Sequence, residues 1–155
     1  MQKLLTVFVV CAGLCTGSVI ASAQTAHTPD QAKALVEKAA AFYKSEGKEK
    51  ALAAFNDPEG QWVEGDLYLV VHTADDPKLM MLAHGANKAL IGKSMIDLKD
   101  AEGKPFNQEM LNGLKTSKDV WVSYKWSNPA TKKIASKKTY YLKVDDVIIA
   151  AGVYE

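Results

Sequence analysis

The last third of the chain leaves it little choice of fold. Residues 119–126, 134–144 and 147–154 each read as a strand, and only a few turn residues separate them. Asn128-Pro129 punctuates the first gap and Asp145-Asp146 the second. Three consecutive strands on short turns make an antiparallel meander. In the first, a period of two puts Val120, Val122, Tyr124 and Trp126 on one face and Trp121, Ser123 and Lys125 on the other. The first face offers two aliphatic side chains, then a phenol hydroxyl, then an indole N–H. An apolar floor with a few oriented donors suits a pocket for a small polar molecule. It equally suits a core strand whose aromatics only pack.

Upstream, the pattern turns helical. Residues 30–43 repeat Ala34, Leu35, Ala39 and Phe42 on one side, with Thr28 or Asp30 as cap and Pro29 near the first position. Residues 48–55 form a second helical piece, ended by the turn formers of residues 56–60. Over residues 66–72 the period falls to two, Leu67, Leu69 and Val71 alternating with Tyr68, Val70 and His72. After a turn at residues 74–78, residues 79–83 complete a hairpin. A Gly-punctuated loop then returns toward the core through Leu90, Ile91, Met95 and Leu98. A short helix over residues 107–114 follows, with Met110, Leu111 and Leu114 inward. Helix, hairpin, loop and helix, then meander is α+β: one antiparallel sheet of about five strands with helices gathered against it.

The N-terminus is a targeting segment. Lys3 precedes an apolar run from Leu4 to Ile20, and Ala21-Ser22-Ala23 supplies a cleavage pattern. Residues 1–23 are therefore expected to be removed, leaving a single domain over residues 24–155 with no membrane span. Both cysteines, Cys11 and Cys15, lie in the removed part. The mature chain has no disulfide, thiol nucleophile or haem-attachment site, and about 130 residues suffice to fold on core burial. The full sequence has 19 basic residues, all Lys, against 18 acidic ones. Without Arg or excess positive charge, a nucleic-acid partner is excluded.

Catalytic chemistry finds no footing. His27, His72 and His84 are dispersed, and none sits at a metal-ligand spacing with a carboxylate. No Ser occupies a nucleophile elbow. Gly92-Lys93-Ser94 echoes the end of a phosphate loop, but the glycine spacing before it is wrong. The expectation is no enzyme, no metal and no cofactor. His84 precedes a Gly-rich loop, a common place for a functional His, though a solvent-facing turn His fits as well. Lys137 and Lys138 lie side by side in a strand. If the sheet is covered on one face only, one of them points inward and needs an anion: Asp66, Glu64 or a ligand carboxylate. Tyr140 joins that side if a bulge or twist turns it.

These pieces, in order, resemble the single Cache domain family, the type 2 group of bacterial extracytoplasmic sensor modules. The matching segments are Gly60-x-Trp62, Asp66-Leu67-Tyr68-x-x-Val71, Leu82-Ala83-His84-Gly85-x-Asn87, Leu90-Ile91-Gly92-Lys93, Asp97-Leu98-x-Asp100-x-x-Gly103, Trp121-Val122-x-Tyr124-x-Trp126-x-Asn128-Pro129, Lys137-x-x-Tyr140 and Gly152-Val153-Tyr154. The resemblance implies a PAS-like antiparallel sheet with a long N-terminal helix packed against it. It implies recognition of a small molecule, often a short carboxylate, between the sheet and the loop crossing it. By position, His84, Tyr124, Trp126, Lys137 and Tyr140 resemble the ligand-contacting set.

The expected function is a periplasmic or secreted binding module for a short carboxylate or similar metabolite, without catalysis. No output domain is expected after the last strand, so the expectation is of a stand-alone copy. The alternative is an accessory subunit of a membrane sensor or transporter, with no ligand of its own and a strand edge or the N-terminal helix as its contact.

Overall fold

A computed structural model describes residues 26–155. The expected leader lies outside the described residues. The order is α1 (Pro29–Glu46), α2 (Lys48–Phe55), β1 (Val63–Glu64), β2 (Leu67–Thr73), β3 (Met81–His84), a 3-10 turn (Lys88–Leu90), α3 (Phe106–Leu114), β4 (Asp119–Ser127), β5 (Ile134–Val144) and β6 (Val147–Tyr154). The sheet runs β1-β2-β6-β5-β4, with β3 also paired to β2, and all pairings are antiparallel. It has six strands, the extra one being the two-residue β1. Strand β2 thus lies beside the last strand, β6, which makes these two the centre. Both are buried along almost their whole length.

Local chemistry accounts for the boundaries. Thr28 caps α1 with a reciprocal capping box, its hydroxyl accepting from the Gln31 N–H and the Gln31 side chain accepting from the Thr28 N–H. Gly47, at φ 82°, breaks α1 from α2. Asp145 and Asp146 make the two-residue link of β5 and β6. Asp146 is more than a solvated turn residue: it accepts from the Tyr43 hydroxyl and pairs with Lys48, pinning the hairpin tip to both helices.

Strand alternation divides the core in two. On one face α1 and α2 cover Leu69, Val71, Val144, Val147, Ile149, Ala151 and Val153, with Phe42, Phe55 and Trp62 packed on one another at tilted and edge-on angles. The Gly60-x-Trp62 segment is part of this packing. On the other face Val70, Val122, Tyr124, Tyr141, Ile148 and Ala150 meet Leu79, Met81, Met95, Phe106 and Met110. The sheet is therefore covered on both faces, not on one as the periodicity alone allowed. The second cover is the segment over residues 85–105 together with α3.

That segment has no hydrophobic period and is held by polar clamps. Asp100 accepts backbone N–H bonds from Glu102 and Lys104 through one carboxylate oxygen and from Lys125 through the other. These bonds hold its carboxyl below the usual carboxylate range. Gly92 and Lys93 exchange backbone bonds with Met81. Gly85 lies so close to β1 and β2 that a Cβ would come within 2.8 Å of Val63 and 3.1 Å of Tyr68.

Candidate functional site

Between the second face and its cover lies a partly enclosed cavity. It leaves about 30 Å³ for the centres of water-sized molecules, room for a ligand of a few heavy atoms. Tyr68, Val70 and His72 reach it from β2, His84 from β3, Tyr124 and Trp126 from β4, and Lys137 and Tyr141 from β5. Phe106 and Asn107 close it from α3, with Met95 and Leu98 from the loop. Its lining contains no Asp or Glu.

Lys137 is the centre of the site. It stands opposite Tyr124 on β4 and Tyr154 on β6, with an unbroken register. Its side chain is 2 % exposed. The stem lies over Gly152, where a Cβ would meet the Lys137 Cε at 2.8 Å and the Thr139 hydroxyl at 2.2 Å. The missing side chain therefore lets the lysine cross β6. Its Nζ then donates to the Tyr68 hydroxyl at 2.8 Å and to the Tyr154 hydroxyl at 3.3 Å, above both rings. The Tyr154 hydroxyl donates onward to the Ser127 carbonyl. Two of the ammonium's three donors are thus placed. Among the described residues no carboxylate forms an ion pair with it. Burial pushes its pKa down to about 7, opposed by the more distant Asp66.

His84 is oriented by the loop it opens. Its Nδ1 accepts from the backbone N–H groups of Ala86 and Asn87, at 3.2 and 3.0 Å. The ring hydrogen therefore sits on Nε2. Burial, and then the Lys137 charge, push its pKa down to about 3, so it stays neutral. It stacks on Tyr68 with ring centroids 5.0 Å apart. Tyr124 accepts from the Thr139 hydroxyl and stacks on Phe106 at 4.1 Å. Trp126 meets the edge of the same Phe106.

Four of the five residues singled out in the sequence, His84, Tyr124, Trp126 and Lys137, thus line one cavity. Tyr140 does not. Strand β5 has no bulge, so an odd offset from Lys137 sends Tyr140 to the helix face. There it packs on Trp121 and donates to Asp119 at 2.6 Å. Tyr141 takes the place beside the cavity. Asp66, offered as a partner for the lysine, instead accepts from Asn128 at 2.9 Å. Asn128 also accepts from Ala130 and Thr131, so the Asn128-Pro129 segment builds a turn.

Sequence reasoning missed Tyr68 and Tyr154 as the lysine's partners, and His72, Phe106 and Asn107 as lining. Tyr68 and His72 share a face by the period of β2, which was legible. That this face meets Lys137 depends on the pairing of β2 with β6, which no local pattern encodes. Among the described residues no cluster of His, Cys, Asp or Glu has the makings of a metal site.

The site thus lies under an antiparallel sheet with a long helix on its other face, in a mainly apolar cavity that holds a few polar groups. The chain matches the family model Single Cache domain 2 over residues 23–155 and belongs to that family. Solved structures with the same fold agree. One is a Cache chemosensory domain described for its carboxylic acid recognition: TM-score 0.68, 21% identity, 81% of this chain and 91% of that one covered. A second is a methyl-accepting chemotaxis protein from Vibrio parahaemolyticus RIMD 2210633: TM-score 0.66, 18% identity, 81% and 86% covered. A third is a periplasmic sensor domain of a chemotaxis protein: TM-score 0.60, 22% identity, 81% and 88% covered. A search among curated proteins found no match. Among the described residues no helix is long and apolar enough to cross a membrane.

Proposed function

We propose that this chain is an extracytoplasmic sensory module that binds a short carboxylate between its sheet and the 85–105 segment, without catalysis. One observation carries the reading: a buried ammonium faces a small cavity that supplies it with no counter-charge. A ligand carboxylate completes the site by accepting the third Lys137 N–H, with the His84 Nε2–H as a further donor. Val70, Phe106 and Trp126 pack on its carbon skeleton. Tyr68 and Tyr154, rather than Tyr140, stand beside the lysine and hold its ammonium in place. The apolar leader and the solved chemotaxis sensors support a periplasmic setting, in which binding is passed to a membrane sensor partner.

Calorimetry of the purified protein with formate, acetate, propionate, lactate and pyruvate tests this. At least one acid is expected to bind and to raise apparent thermal stability by mass action, while the matching amide does not. Binding should weaken as pH rises above about 7, because the free lysine then loses the proton that the bound anion requires. Failure of every acid, or equal binding of acid and amide, overturns the reading.

A further inference from the structure

The cavity has a second polar group of side chains that the anion does not use. His72 reaches it from β2 and Asn107 from the first turn of α3. Their side chains are nearly sealed from solvent, His72 at 4 % exposed and Asn107 at 1 %. The Asn107 amide is oriented: its Nδ2 donates to the Met95 carbonyl at 2.7 Å. Its Oδ1 has no partner, and neither has Nδ1 of His72. Buried polar atoms are nearly always satisfied, so two orphans lining one cavity call for a polar occupant. His72 itself is neutral, since burial pushes its pKa down to about 4.

The chemistry of the orphans selects the ligand. Asn107 Oδ1 only accepts, and a neutral imidazole offers one acceptor and one donor. A carboxylate placed there would oppose the amide oxygen, so the acid group belongs with Lys137. An ammonium there would be a second buried cation in a lining without Asp or Glu, which disfavours amino acids. A ketone brings no hydrogen to Asn107. A hydroxyl can both donate to Asn107 or His72 and accept from the imidazole.

Resting on the carboxylate reading, we infer that the preferred ligand is a small hydroxy acid, its carboxylate at Lys137 and its hydroxyl held by His72 and Asn107. Matched titrations test it: lactate and 3-hydroxypropionate against propionate, with pyruvate as the keto control. At least one hydroxy acid is expected to bind about tenfold tighter than propionate, as one added hydrogen bond to buried partners allows. Pyruvate should gain nothing over propionate. In His72→Phe and in Asn107→Ala, read independently, that preference should collapse while propionate still binds, which also shows that the variant folds. Propionate binding without any hydroxy-acid preference overturns this inference alone and points to a water bridging the two orphans. A preference that survives both substitutions overturns the assignment to these residues. If no acid binds at all, the carboxylate reading fails first and this one with it.

Discussion

The two faces of the sheet handle their polar groups in opposite ways. Under the helices, the Tyr43 hydroxyl donates to Asp146 at 2.7 Å and the Tyr140 hydroxyl to Asp119 at 2.6 Å, both at the rim of an apolar core. Under the 85–105 segment, Lys137, Tyr68 and Tyr154 have one another, and no carboxylate lines the space they face. The chain is not short of acids, with 18 Asp and Glu. It places them beside phenols on one side and withholds them from an ammonium on the other. An apolar residue in place of a buried charge is often neutral or stabilising. Stability therefore explains the helix face and fails to explain Lys137. The proposed recognition of an anion would account for it.

Replacing Lys137 should break the contrast most. Lys137→Met is expected to weaken carboxylate binding by about 100-fold or more, as loss of one partner of a desolvated charge pair does. The same substitution should leave the unliganded protein as stable or more stable, read as an unchanged or raised melting temperature. A large loss of stability with binding intact would make the lysine a structural element like those of the helix face.

Gly152→Ala comes next. The added methyl would press on the Thr139 hydroxyl and the lysine stem. It should destabilise by about 1–3 kcal/mol in chemical denaturation, as overpacking does. It should also displace the ammonium from the Tyr68 and Tyr154 hydroxyls, so carboxylate affinity falls with stability. Unchanged affinity would mean that the lysine does not depend on its path across β6.

Tyr140→Phe should act least and sharpens the difference between faces. Loss of the bond to Asp119 is expected to lower stability by about 1 kcal/mol, with carboxylate affinity unchanged. Tyr124→Phe, on the cavity face, provides the opposite case, with a measurable change in binding. If Tyr140→Phe weakened binding as Tyr124→Phe does, the separation of the faces would not hold in solution.

Much of the architecture was legible because local signals agreed. Gly47 and Asn56 bracket α2, and Asp145-Asp146 separates two strands whose limits coincide with the apolar runs. The faces of β2 and β4 follow from simple alternation. Tyr140 was misplaced because joining it to Lys137 required a bulge, and plain alternation held. The second cover was illegible for a different reason. Its residues have no period, and its place is set by the Asp100 clamp and the close approach of Gly85 to β2, both tertiary. The same holds for Tyr68, Gly152 and Tyr154 around the lysine. Each occurred in a motif, but their meeting is a property of which strands pair.

The most direct measurement is the ionisation of Lys137 itself. NMR titration of lysine side chains, with Lys137→Met to assign the resonance, should show one amine titrating near pH 7 in the free protein. Its folded value lies below the unfolded one, so stability should rise with pH between about 7 and the ordinary lysine value near 10.5. Saturating propionate should move that titration upward, because the bound anion favours the charged form. A Lys137 that titrates with the surface lysines, or one that ignores the acid, would contradict a buried cation completed by a carboxylate.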